Sequence, residues 1–275
     1  MVDLKSRTKL NNGSRMPWLG FGVFQTPPGE VTRQSVLTAL QAGYRSVDTA
    51  TIYRNESDVG EALRETDVPR EEIFVTTKVW NDDQGYESTL KAFAESKRRL
   101  DLDVVDLYLV HWPVTGKSEA TYRAMETLLQ DGEVRAIGVS NFLVHHLQDL
   151  LENSDVVPAV NQIEYHPFLV QPELLEFCRE HNIQVEAWSP LTRGRYLNNP
   201  VIAEIAERYQ KTPAQVMLRW DLQHLVVTIP RSTKESHILE NTRIFDFQIS
   251  REDMEKLDAL DRGERVGPHP DRFGS

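Results

Sequence analysis

In the run Gly43-Tyr-Arg-Ser-Val-Asp48-Thr-Ala-Thr-Ile-Tyr53, an acid and a phenol stand five residues apart, just past a short apolar strand. Two later apolar runs end in the same manner: Phe74-Val-Thr-Thr leads to Lys78, and Val105-Asp-Leu-Tyr-Leu-Val leads to His111. These types form a proton-donating set for a carbonyl oxygen. A free tyrosine, with a pKa of about 10, is a poor acid near neutrality. A neighbouring ammonium stabilises the phenolate and lowers that value, while a carboxylate keeps the ammonium charged and in place. Lowering it by roughly two to three units takes about 3–4 kcal/mol of differential interaction. On this reading Tyr53 is the general acid of a reduction, Lys78 its tuner and Asp48 the partner of Lys78. His111 orients the carbonyl by donating a hydrogen bond. Trp80 and Trp112, each close to one of these strand ends, would wall an apolar substrate slot.

Taken singly, each residue has a plainer explanation. A lysine ending a strand is ordinarily a solvated charge, and Asp48-Thr49 could cap a following turn. His111 could be a hydrogen-bonded structural histidine and Trp188 a core residue. The repetition changes the balance. Ser140-Asn141 follows Val134-Arg-Ala-Ile-Gly-Val, and Gln162 with Glu164-Tyr-His166 follows Pro158-Ala-Val. Trp188-Ser189-Pro190 follows Ile183-Gln-Val-Glu-Ala, and Arg231-Ser232-Thr233 follows Val226-Val-Thr-Ile-Pro230. Seven successive strands ending in polar, ionisable or aromatic groups point to one shared rim.

The elements that must build this rim are legible in outline. Asn12-Gly13 between extended runs predicts an N-terminal β-hairpin. Strand-length apolar runs fall near 19–22 and at 46–48, 73–77, 104–110, 134–139, 157–163, 183–188 and 225–229. Helical patterns occupy 30–42, 56–66, 86–100, 118–130, 143–151, 172–181 and 199–222, the last divided at Thr212-Pro213 by an N-cap and a proline at the first helical position. Eight strands alternating with helices predict an α/β fold, a single (β/α)8 TIM barrel over residues 1–275, although periodicity alone also allows an open doubly wound sheet. The tail, 261–275, is rich in Gly, Pro and charge. It is expected to lie extended over a barrel face near the mouth or to fray.

Composition narrows the partners. Among 275 residues the net charge is −11, which argues against general affinity for nucleic acid or anionic membrane. The lone Cys178 rules out an intrachain disulfide framework and suits a reducing, cytoplasmic setting. The first residues lack the apolar core of a signal peptide, and no run reaches the ~18 apolar residues of a membrane span. No GxGxxG fingerprint, Walker loop or zinc signature is present, and His145-His146 and His166 lack ligand spacing, so no metal is expected. Arg231-Ser232-Thr233-Lys234, at the end of the eighth strand and before a short helix through Asn241, supplies cations and hydroxyls for an anion.

Together, Gly43-Tyr-Arg-x-x-Asp-Thr-Ala-x-x-Tyr and Asp106-Leu-Tyr-Leu-Val-His-Trp-Pro resemble the aldo-keto reductases, and the resemblance spans nearly the whole chain. It implies NADP(H) bound in extended form without a Rossmann domain, and direct hydride transfer to an aldehyde or ketone. It also implies a monomer. By position, the catalytic four are Asp48, Tyr53, Lys78 and His111. Ser140, Asn141 and Gln162 would hold the carboxamide, with Trp188 stacked on the nicotinamide and Val23 and Phe24 lining the cofactor groove beside Asp48. Ser189, Pro190, Leu191, Arg193 and Gly194 would follow the pyrophosphate. Arg231, Ser232 and Thr233 would grip the 2′-phosphate, and Glu240 and Asn241 the adenine. Trp188 in place of the commoner Tyr, with the ending Arg265-Val-Gly-Pro-His-Pro-Asp, is most similar to the bacterial 2,5-diketo-gluconate reductase group. Two departures stand out: Arg231 replaces the family's usual Lys, and His237 replaces its usual Arg. A neutral imidazole gives up a permanent cation, so NADH should be better tolerated than is usual. Two other readings stay open at this stage: a lyase using Lys78 as a Schiff-base nucleophile, and a non-catalytic NADP(H) sensor.

Overall fold

Eight parallel strands surround a central axis in the computed structural model, which describes residues 3–273. Before them comes the predicted hairpin, β1 (Arg7–Lys9) and β2 (Arg15–Pro17), paired antiparallel across a turn in which Gly13 takes φ +90°. Leu10 and Met16 from this hairpin pack with Phe74, Leu107, Ala136 and Ala159 at the N-terminal ends of the barrel strands. The hairpin thus plugs the bottom of the barrel. Pro17 ends the hairpin, and β3 (Phe21–Gly22), at the run expected near 19–22, opens the barrel.

The chain then alternates through α1 (Glu30–Gln41), β4 (Ser46–Asp48), α2 (Glu56–Glu65), β5 (Phe74–Val79), α3 (Tyr86–Leu100), β6 (Leu107–Val110) and α4 (Ser118–Gln130). It continues with β7 (Ile137–Ser140), α5 (Val144–Glu152), β8 (Val160–Glu164), α6 (Pro172–Glu180), β9 (Gln184–Trp188), α7 (Pro200–Tyr209), α8 (Pro213–Gln223) and β10 (Val227–Thr228). Each strand pairs with its sequence neighbour. What closes the ring is a parallel bridge between Leu19 and Thr228, with Gly20 N donating to Thr228 O at 2.9 Å and Gly22 N to Pro230 O at 3.1 Å. A Cβ on Gly20 would lie 2.8 Å from the Ile229 side chain, so this seam needs glycine. The open-sheet alternative falls with that seam.

Local chemistry sets the helix boundaries. Asn199 caps α7, and Thr212 caps α8 while Gln215 returns a side-chain acceptor to the Thr212 N–H; both helices begin at a proline. Three helices complete the chain: α9 (Glu235–Asn241), α10 (Arg251–Asp258), capped by Ser250, and α11 (Pro270–Phe273). Sequence patterning missed α10. The tail, expected to lie extended over a barrel face or to fray, has no regular structure over 261–269 and ends in the single turn of α11; Gly274 and Ser275 lie outside the described residues. No helix among the described residues is long and apolar enough to cross a membrane.

Side chains two apart on a strand share a face. Asp48 follows Ser46, Lys78 follows Thr76, Gln162 precedes Glu164 and Glu186 precedes Trp188. All of these point along one surface of the sheet, toward its C-terminal rim.

Candidate active site

Lys78 is fully buried, and its ammonium is fully used. Nζ donates to Asp48 Oδ1 at 2.7 Å, to the Thr49 carbonyl at 2.9 Å and to Tyr53 Oη at 3.5 Å. Register explains the pairing: Asp48 sits opposite Thr76 on β5, so Lys78 lies one inward-facing step further along. Tyr53 stands not on a strand but on a 3-10 turn, Thr51–Tyr53, which folds it back over the strand end. Burial alone would lower the Lys78 pKa, but Asp48 and Tyr53 more than offset it and the net shift is upward. A cation held by three acceptors is no nucleophile, and the Schiff-base reading loses its lysine.

Tyr53 corrects a sequence expectation. Lys78 does pull its pKa down, but burial outweighs that pull and pushes the phenol up to about 12. Asp48 adds to the upward push. The ring is still partly open to solvent, so it sits in the floor of a pit rather than in the core. His111 is buried beside it, ring centroids 5.7 Å apart, with Trp80 5.2 Å away on another side. Burial, reinforced by Lys78, holds the imidazole pKa well below its ordinary value, so the ring is neutral at pH 7. Its Nδ1 is enclosed without a partner. An orphaned N–H is rarer in protein interiors than an orphaned acceptor, which assigns the proton to Nε2.

Around this centre the polar strand ends interlock. Gln162 Nε2 donates to Asp48 Oδ2 at 2.8 Å and to Glu186 Oε2 at 2.7 Å. Ser140 Oγ donates to the Gln162 carbonyl at 2.9 Å, and Asn141 Nδ2 to the His111 carbonyl at 2.9 Å. Trp188 Nε1 donates to Asn141 Oδ1 at 2.8 Å, which fixes the indole at the rim. Asn141 and Ser189 both take left-handed backbone, with φ of 65° and 50°. Such strain outside glycine costs about 1–3 kcal/mol and gathers at functional sites.

Other predicted residues sit further out. Val23 is buried; Phe24 is exposed and lies 5.0 Å from the Tyr53 ring. Arg193, on the exposed loop beyond Pro190 and Leu191 that includes Gly194, stacks over Phe24 at 5.8 Å. Arg231 uses two of its nitrogens on the Phe24 and Gln25 carbonyls, at 3.1 and 3.0 Å. These bonds spend donors, not charge. Ser232 is buried, with its Oγ turned to the Lys234 N–H, while Thr233 and His237 are exposed. Glu240 is engaged by Thr212 at 2.7 Å, and Asn241 is buried.

Three features escaped the sequence reading. Glu186 is one: an acid inside an otherwise apolar strand, two residues before Trp188, which was the available signal. The second is how the tail is anchored. Fully buried Glu164 accepts from the Val266 N–H, and from the Gly267 N–H at 3.2 Å, with His166 Nε2 at 3.1 Å. Phe273 then reaches Trp112, with ring centroids 4.5 Å apart, and Trp80 at 6.1 Å. The third is a cluster of His145, His146 and Asp271, with ligand atoms all within 4.8 Å. His146 Nδ1 accepts from the Leu143 N–H at 3.2 Å, so Nε2 carries the proton and faces Asp271 as a donor. His145 Nε2 and His146 Nε2 lie 3.1 and 3.4 Å from Asp271 Oδ1, so the trio holds the tail against α5 by polar contact.

The sequence pattern of the Aldo/keto reductase family matches residues 19–262. The chain belongs to the aldo/keto reductases. It is 57% identical over 272 residues to the glyoxal reductase of Bacillus subtilis, covering 99% of each chain. It is 43% identical over 270 residues to the methylglyoxal reductase DkgA of Escherichia coli, covering 97% of each. Among solved structures, a mutant of Gox0644 in complex with NADPH superposes with a TM-score of 0.93 at 44% identity, covering 97% of this chain and 98% of that one.

Proposed function

We propose that this aldo/keto reductase reduces small aldehydes and dicarbonyls, of the glyoxal and methylglyoxal type, using NADPH, with Tyr53 as proton donor. The observation that carries the reading is the chain Asp48–Lys78–Tyr53, with a neutral His111 beside the phenol at the mouth of the barrel. The residues present fit a nicotinamide cofactor. Gln162 Oε1 takes no hydrogen bond among the described residues, Trp188 offers a fixed, partly exposed indole, and Arg231, Lys234 and His237 gather along the loop and helix beyond β10. When bound, that cofactor supplies the hydride.

The remaining work falls to the chain's own side chains. His111 donates from Nε2 to the carbonyl oxygen and sets its orientation. Tyr53 hands its proton to the same oxygen as negative charge builds there. A phenol near 12 stays protonated at neutral pH and is still acidic enough to protonate an alkoxide, which is about as basic as hydroxide, whose conjugate acid has a pKa of about 15.7. Lys78 stabilises the phenolate left behind, and Asp48 holds Lys78 in place. Ser140, Asn141 and Gln162 would hold the carboxamide, while Arg231, Ser232 and Thr233 would face the 2′-phosphate. Trp80, Trp112 and the Phe273 tail would wall a compact apolar slot, suited to small substrates. The reading extends to a cytoplasmic monomer whose partners are small molecules. The test is cofactor oxidation by purified protein with a panel of aldehydes, dicarbonyls and keto-sugars. Turnover led by small dicarbonyls with NADPH is expected; NADPH binding without turnover on any of them would return the sensor reading.

A further inference from the structure

Gln162 has one end of its amide held from two sides. A primary amide carries both of its donors on nitrogen and its acceptor on oxygen. Here Asp48 Oδ2 and Glu186 Oε2 face the same end, at 2.8 and 2.7 Å. Asp48, ion-paired with Lys78, needs a donor, so the nitrogen end faces it: a flipped amide would set its own oxygen against that carboxylate. With both donors spent below, Oε1 is the end of the buried amide left without a protein partner among the described residues. Asp48 alone would satisfy one N–H and leave the other buried without an acceptor. Glu186, fully buried and paired with Gln162 in the strand register, supplies the second contact.

We propose that Glu186 is a positioning residue for the cofactor: with Asp48 it locks the Gln162 amide so that Oε1 is presented to an N–H donor, the carboxamide of the nicotinamide. The inference rests on the reading of Gln162 as a carboxamide partner. Its electrostatics are consistent. Burial, then the nearness of Asp48, pushes the Glu186 carboxyl up to about 8, so near neutrality it is mostly an uncharged acid whose carbonyl oxygen still accepts. Lys78 and Asp48 then balance one to one. An ionised Glu186 would add negative charge beneath Tyr53 and make its phenolate harder to form.

Glu186→Gln keeps a carbonyl acceptor at this point, and Glu186→Met removes it at similar size. The probes are NADPH and its analogue bearing an acetyl group in place of the carboxamide, which has no N–H to give. Dissociation constants are measured by fluorescence titration, with thermal melts to confirm folding. Wild type and Glu186→Gln should favour NADPH by about tenfold, the worth of one neutral hydrogen bond. Glu186→Met should bring the preference to within about twofold. A folded Glu186→Met that keeps the wild-type preference overturns the proposal. Tight NADPH binding by wild type with no preference between the two probes overturns the carboxamide reading of Gln162 instead, and this proposal with it. Should Glu186→Met not fold, the labelled side-chain amide of Gln162 in ligand-free wild type decides by proton exchange. Protection of both amide protons supports the lock; rapid exchange of either one overturns it.

Discussion

Replacing Lys78 by methionine keeps the length of the side chain and removes its charge, isolating what the ammonium does for Tyr53. The two groups are 3.5 Å apart. At an effective dielectric of about 20, full charges at that separation interact by about 5 kcal/mol. If the phenol carries about half a charge in the transition state, the loss is about 2.4 kcal/mol, or roughly 50-fold in kcat; a full charge makes it roughly 3,000-fold. The fall in kcat for aldehyde reduction should lie between these limits. On the proposed mechanism the ionised phenol is the base in alcohol oxidation, so activity should rise with pH, and that rise should move to higher pH in the variant. Stability needs a control, because breaking a buried pair leaves Asp48 unmatched at a cost of about 3–5 kcal/mol. The double variant Lys78→Met with Asp48→Asn removes the stranded charge and should recover melting temperature without recovering rate. The assay is the decay of reduced-cofactor absorbance under saturating substrate, with NADPH binding followed separately. A folded, NADPH-binding Lys78→Met enzyme with kcat within about fivefold of wild type would refute the electrostatic argument.

His237→Arg restores a permanent cation on α9 near the proposed 2′-phosphate site, and the NADPH/NADH ratio of kcat/KM should rise about tenfold, the worth of one charge-assisted hydrogen bond. An unchanged ratio would show that His237 does not face that phosphate. Gly267→Ala would put a methyl 2.4 Å from a Trp188 ring carbon, so the tail or the indole must shift. Such overpacking costs about 1–3 kcal/mol, and the melting temperature should fall while KM for NADPH rises; wild-type values of both would mean that the tail does not brace Trp188.

The rim was legible because a barrel strand alternates and ends abruptly. A polar residue closing an apolar run has few places to go, and seven such runs converge on one mouth. Asp48, Lys78 and Gln162 meet for that reason, through register rather than chain proximity. What the sequence concealed depended on three-dimensional detail. The weight of burial on Tyr53 follows from how deeply the turn Thr51–Tyr53 is packed, which no motif records. Glu186 is in plain view, but a lone acid within a strand says nothing until its neighbour proves to be Gln162. The tail stays irregular over 261–269 and ends in one helical turn; its anchors, Asp271 beside His145 and His146, and Glu164 on Val266 and Gly267, are all far away in the chain. Arg231 turned toward Phe24 and Gln25 because the β3 and β10 ends are neighbours only in the closed barrel.

The most direct measurement replaces Tyr53 by phenylalanine, removing only the hydroxyl, and compares NADPH oxidation with glyoxal or methylglyoxal in the two proteins. A drop in kcat of at least about a hundredfold, with NADPH binding and melting temperature preserved, is the predicted result. Equal rates in the two proteins would show that the proton comes from another group, and the Asp48–Lys78–Tyr53 account would fall.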